Sequence, residues 1–204
     1  LWAGKMMRDG IVGALSEVAS VVFSGASAAN KNTWSAANAD RILYGAAVGN
    51  YSATFATGHA TIDNTADKLT YSVVSLAKRI AKTASPIIRP VTVTEDEENY
   101  VMFAGSLAFR DLKLSLATIN QNAEVRGKEN PLYRDGDLVW DGVIVREIPE
   151  IAVVSNGTIN TSPCYLCGAQ AAAVAWAKRT TTTTDVRDYG FVKGVGIHEM
   201  RGIR

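Results

Sequence analysis

NPLYRDGDLVWDGVIVREIPE, residues 130–150, carries Asp-Gly twice, at Asp135-Gly136 and Asp141-Gly142. Asp-Gly favours tight turns, because Gly tolerates positive φ and the Asp side chain bonds nearby backbone. Leu138, Val139 and Trp140 stand between the two pairs, and Val143, Ile144 and Val145 follow the second. These runs of β-branched and aromatic residues have strand propensity. The stretch therefore reads as a short strand, a hairpin turn and a longer strand. Asp135, Gly136, Asp141 and Gly142 are structural candidates on this reading. The pattern suits an enzyme's binding loop or a structural protein's surface, and the rest of the chain must decide.

The chain has 204 residues, enough for one large domain or two small ones. Its apolar share of 47% is that of a globular protein. Lys plus Arg number 21 and Asp plus Glu 20, so a net charge of +1 gives no global case for gripping nucleic acid. Cys164 and Cys167 are the only cysteines, too few for a disulfide framework, which points to a reducing, intracellular setting. The start, LWAGKMMRDG, lacks the basic-then-apolar order of a secretory signal. No run of about 18 apolar residues is present to cross a membrane. The chain starts without Met and stops at GIR within an ordered pattern, so sequence is expected to be missing at one or both ends.

Residues 6–24 form a candidate helix, with Val12, Leu15, Val18, Ala19 and Val22 near one face. Residues 25–38, rich in Ser, Ala and Asn, read as a loop, and 40–56 as a close-packed arm or a short helix. The clearest element is TADKLTYSVVSLAKRIAKTA, residues 65–84. Leu69, Val73, Leu76 and Ile80 recur at helical spacing and define one apolar face. Asn64 is positioned to cap this helix, Asp67 falls in its first turn, and Pro86 and Pro90 stop it. Such a rod is about 30 Å long.

Val91–Val93 and Asn99–Phe103 read as two strands joined by an acidic turn at Glu95–Glu98. A helix is expected from Ser106, a plausible cap, with Leu107, Arg110, Leu114 and Ala117 on adjacent turns. Residues 155–163 read as a polar linker and CYLCGAQAAAVAWAKR, residues 164–179, as a small-residue helix ending before Thr180–Thr184. DYGFVKGVGIHEMRGIR at the end is broken by glycines and reads as extended.

The chain offers little chemistry. Cys164-x-x-Cys167 is a lone pair, whereas structural zinc takes four ligands, and the only histidines are His59 and His198. A thioredoxin-like dithiol needs its first cysteine at a helix N-terminus after a strand. Buried, inert thiols are the plainer reading. His198-Glu199 lacks the second histidine of a zinc protease, because Gly202 stands at that position. Neither G-x-S-x-G nor G-x-x-x-x-G-K-[ST] occurs. The expectation is therefore of no catalytic, cofactor-binding or metal-binding residues and no enzyme activity. Two basic groups, Lys78, Arg79, Lys82 and Arg89, and Arg187, Lys193, Arg201 and Arg204, read as solubilising charge before phosphate contacts.

Five segments, taken in order, resemble one family, the tailed-bacteriophage major capsid proteins of the group typified by the coat protein of coliphage N4. They are DRILYGAA from Asp40, LAKRIAKTASPIIRPVTV at 76–93, ENYVMFAGSLAFRDLK at 98–113, NPLYRDGDLVWDGVIVRE at 130–147, and CYLCGAQAAAVAWAKR with its Leu166–Gln170 motif. The order of the five carries the specificity. Val145-Arg146-Glu147-Ile148 departs from the residues the family often has after its Gly-Val strand, which puts a local contact in doubt.

The resemblance implies an α+β protein of the HK97-type capsid fold, with a peripheral domain, a long spine helix and an axial domain. Residues 1–130 would form the N-terminal arm region and peripheral domain, with the spine helix at 65–84. Residues 131–184 would be mostly axial domain, and 185–204 an extended return toward the peripheral domain. The implied function is structural, a subunit that self-assembles into the icosahedral head around double-stranded DNA. Implied partners are further copies in hexamers and pentamers, a portal, and scaffold or decoration proteins, with DNA touched without sequence specificity and no membrane. The virion, and the host cytoplasm during assembly, would be its location. The alternatives are an encapsulin-like compartment shell and, more distantly, an enzyme with a thiol or histidine site.

Overall fold

The computed structural model describes residues 2–23, 26–94, 97–121 and 137–203. Asp135, Gly136 and most of the acidic turn lie outside the described residues. Contacts divide the chain into two units, Leu1–Val18 with Ala172–Arg204, and Ala19–Ala171.

The larger unit is built on a mixed sheet. Its strands are β1 (Val91–Thr94), β2 (Glu97–Ala104), β3 (Asp137–Trp140), β4 (Val143–Glu147) and β7 (Cys164–Cys167), in the order β1-β2-β4-β3 with β7 also on β2. A small separate hairpin pairs β5 (Val154–Ser155) with β6 (Asn160–Thr161). β2 and β4 run parallel, joined through helix α5 (Ser106–Gln121), whereas β3–β4 and β2–β7 are antiparallel. Alternation along the strands sets the layers. Tyr100, Met102, Ala104, Leu138, Val143 and Val145 are buried on one face of the sheet. Val74 and Ala81 of helix α4 (Tyr71–Thr83), with Phe109 and Leu112 of α5, pack into the same cluster. The core is thus two layers, a pair of helices on one sheet face. The cross-strand pairs Ile144↔Val101 and Val101↔Cys167, with Phe103↔Tyr165, lie on the opposite, half-buried face.

The helix at 65–84 is shorter than its periodicity predicts. It starts at Tyr71, with Thr70 at its N-cap position. Asn64 does not cap it and Asp67 is not in its first turn. Asp67 instead accepts bonds from the Ala46 N–H (2.8 Å), Asn50 Nδ2 (3.2 Å) and the Asp63 N–H (3.1 Å). Asp63 in turn accepts from the Thr65 and Ala66 N–H groups. Polar side chains that bond the backbone locally compete with helix, and here they win. Val73 is buried and Leu69 packs beside the core from outside the helix. Leu76 and Ile80 are only half-buried, because Val74, Ala77 and Ala81 face the sheet. The buried stripe is rotated by one residue, about 100°.

Three further expectations need correction. Residues Ala28–Ala37 form a helix, α2, where a loop was expected; Ser27 caps it by accepting the Asn30 N–H at 3.3 Å. On α5 the inward residues are Phe109 and Leu112, whereas Leu107 and Leu114 are exposed. Ser106 is the first residue inside this helix, and the Gly105 carbonyl accepts from the Phe109 N–H. CYLCGAQAAAVAWAKR is not helical. It holds β7 and the start of β8 (Val174–Arg187). Gly168 separates the two, and a Cβ there would sit 2.1 Å from the Arg89 carbonyl oxygen. The next residue, Ala169, donates its N–H to that same carbonyl at 2.8 Å. Backbone docking at this point requires glycine and holds the segment extended. The linker expected at 155–163 contains the β5–β6 hairpin.

The smaller unit pairs β8 with β9 (Val192–Ile203) in a long antiparallel ribbon, so the expectation of an extended C-terminal segment holds. Thr180–Thr184 lie inside β8, where β-branched residues are favoured. Helix α1 (Trp2–Phe23) contributes its residues up to Val18, with Val12 buried and Gly10 close against Ile203.

Candidate functional site

The turn read from the sequence at Asp141-Gly142 is present. Both residues have positive φ, 49° and 71°, as a two-residue type I′ connection between β3 and β4 requires. An Asp tolerates that region through local hydrogen bonding, and Gly adopts it without steric cost. The turn is tied to α4. Lys78 Nζ bonds Asp141 Oδ1 at 2.9 Å and also donates to the Asp141 carbonyl, while Ser75 Oγ donates to Oδ2 at 3.2 Å. The Lys78 hydrogen bond, ahead of its charge, lowers the Asp141 pKa, and partial burial works against it. With a folded pKa below that of the unfolded chain, this pin is intact at neutral pH and is lost as acid protonates the carboxylate. Sequence reading found the turn but not its partners, because Ser75 and Lys78 lie more than 60 residues away.

A second polar junction joins helix α3 (Phe55–Ala60) to the β5–β6 hairpin. The Thr161 hydroxyl donates to the Val154 carbonyl at 2.7 Å, so His59 Nε2, 2.9 Å from Thr161 Oγ1, must be the donor in that contact. Asn156 Nδ2 donates to the carbonyls of His59 (3.2 Å) and Ile62 (3.0 Å). His59 stacks within 5.4 Å of Phe55, in a cluster with Tyr44, Trp34 and Tyr51. Burial, and then the nearby Lys31 charge, lower its pKa. A histidine with a folded pKa below its unfolded value contributes stability above the unfolded pKa, about 6.5, and loses it as pH falls through the folded pKa. In an NMR titration His59 should therefore have a lower midpoint than a free histidine, and Lys31→Gln should raise it.

The thiols sit on opposite sides of the sheet. Cys164 pairs with Ala104 on the core side, and Cys167 pairs with Val101 on the other. Burial pushes the Cys164 thiol up to about 12 and Cys167 up to about 11. This placement provides neither a convergent ligand pair nor a low-pKa nucleophile. Both cysteines should react slowly with a thiol-specific reagent such as dithionitrobenzoate at pH 8, and fast once urea unfolds the chain. The Cys164→Ser, Cys167→Ser double variant should keep its fold with a modest packing loss.

His198 lies on β9 opposite Thr181. Its neighbour Glu199 is engaged, accepting from Thr180 Oγ1 at 2.6 Å and from Arg201 at 2.6 Å. Among the described residues no three metal-ligating side chains converge, and no helix is long and apolar enough to cross a membrane.

The features that stand out are structural: pinned turns, a two-layer core and an exposed ribbon. The model of the phage capsid protein family matches residues 14–204, and the chain belongs to that family. It is 28% identical over 157 residues to the major capsid protein of Pseudomonas phage KPP25, a match covering 70% of this chain and 41% of that protein. The solved capsid asymmetric unit of cyanophage Pam1 superposes with a TM-score of 0.82 at 38% identity, over 100% of this chain and 61% of the other. The capsid of Ralstonia phage GP4 gives a TM-score of 0.59 at 22% identity, over 81% of this chain and 48% of that one, a likeness of fold. The chain therefore spans well under two thirds of the length of each. The α+β class agrees with an HK97-type capsid fold.

Proposed function

We propose that this chain is the greater part of the shell-building region of a tailed-phage major capsid protein. Copies assemble into hexamers and pentamers and close into an icosahedral head around double-stranded DNA. The observation that carries this reading is the match to the Pam1 capsid subunit along the whole chain. The role is structural rather than enzymatic. Buried thiols and a buried neutral histidine suit packing, and a shell needs broad complementary contacts instead of a catalytic centre. A net charge of +1 suits confinement of DNA without sequence recognition. Portal, scaffold and decoration proteins are the further partners of such a shell, and host cytoplasm followed by virion is its route.

The contact units support a specific domain assignment. The unit Leu1–Val18 with Ala172–Arg204 holds the longest described helix, α1, and the C-terminal return, and corresponds to the peripheral domain. At 22 residues α1 is about 33 Å long and suits the spine role better than α4, which has 13. The Ala19–Ala171 unit, with its sheet and paired helices, then corresponds to the axial domain. This moves the spine from residues 65–84 to α1 and brings the axial boundary forward from residue 131.

Expression of the full-length protein with its assembly partners, followed by sedimentation and negative-stain imaging, tests the reading. Closed shells are expected. A protein that stays monomeric under those conditions contradicts it.

A further inference from the structure

The distal half of the β8–β9 ribbon exposes apolar surface that nothing in its own unit covers. The pairs Thr182↔Ile197, Thr184↔Val195 and Val186↔Lys193 place their side chains on one face. Ile197, Val195 and Val186 are 48%, 66% and 58% exposed there. At the tip, Tyr189 and Phe191 are 102% and 87% exposed. The tip backbone is also constrained, with positive φ at Asp188 (55°), Tyr189 (52°) and Gly190 (95°). A tyrosine held in that region without packing is a strained arrangement of the kind found at contact sites. The ribbon has only two strands, and an isolated two-stranded ribbon is marginal in water.

Size and charge narrow the occupant. Two aromatic side chains offer roughly 300–500 Å², and the three aliphatic residues extend that patch. One side of a standard protein interface takes about 800 Å², a little over half of it apolar. The patch therefore supplies the apolar share of one such side. The charges around it are mixed, with Asp185 paired to Arg187 at 2.6 Å, and Asp188 and Lys193 nearby. Balanced charge lacks the basic excess that DNA or an anionic membrane requires, but it is compatible with its own copy. We propose that this ribbon face and tip form a contact between copies of the chain, docking onto a neighbouring subunit. The inference rests on the capsid reading, which supplies those neighbours at fixed spacing.

The test places p-benzoylphenylalanine at position 191 of the full-length protein and irradiates assembled shells and dissociated subunits separately. A covalent dimer joining two copies is expected in shells and not in subunits. The double variant Tyr189→Asp, Phe191→Asp should lower shell yield at least tenfold while leaving the subunit's circular dichroism and melting unchanged. Wild-type shells whose cross-links fall within one chain, or onto another virion protein, would overturn the proposal and leave the capsid reading standing. Normal shell yield from the double variant would do the same. A wild-type protein that forms no shells would remove the capsid reading, and this contact with it.

Discussion

Leu112→Ala should cost about 2–5 kcal/mol of unfolding free energy, the range for emptying a packed leucine site. Leu112 is 0% exposed and packs with Phe109 and the buried sheet face. Removing its side chain deletes buried methyl groups and leaves a cavity that the two-layer core can only partly fill. Leu76→Ala is the control on a helix of the same layer. Leu76 is half-buried, so its truncation loses less transferred area and leaves a site open to water. Urea unfolding of both variants checks the ordering. Equal losses would mean that α4 presents Leu76, and not Val74 and Ala81, to the sheet.

The second large effect is expected at the β3–β4 turn. Gly142→Val puts a β-branched residue at φ 71°, a region such residues avoid, at about 1–3 kcal/mol. The added Cβ would also lie 3.4 Å from both Lys78 Nζ and the Glu98 carbonyl oxygen, so it crowds the pin between turn and helix. β4 pairs with β2 through the Tyr100↔Val143 register, and the Tyr100 N–H bonds the Gly142 carbonyl at 2.9 Å. Strain in the turn is therefore passed directly to the centre of the sheet. The variant should unfold at lower urea and give fewer particles than wild type. Wild-type stability in this variant would show that the turn adapts without cost.

Local chemistry explains which parts of this fold were legible in the sequence. Asp141-Gly142 between two apolar runs has one favoured outcome, and the strands and turn are where that pattern puts them. The acidic link between β1 and β2 was legible for the same reason. The helix stripe at Leu69, Val73, Leu76 and Ile80 was half legible. Periodicity identifies a helix, but only the packed sheet decides which of two adjacent stripes faces inward. The Ala-rich segment after Cys164 was misread because propensity is a weak prior against tertiary pairing. β2 offered a free edge to Cys164–Cys167, and β9 offered a partner for the threonine run. Asp67 looked like a helix-capping residue and instead gathers three donors from a loop. The structural candidates Asp135 and Gly136 fall outside the described residues. The exposed tip at Tyr189 and Phe191 had no sequence signal beyond two aromatic residues flanking a glycine.

Cryo-electron microscopy of particles formed by the full-length protein is the most direct test of the shell-subunit reading. The account predicts an icosahedral lattice in which every subunit position accepts the Ala19–Ala171 unit and the β8–β9 ribbon. Particles whose shell density is filled by a different fold, with this chain absent from the lattice, would contradict it.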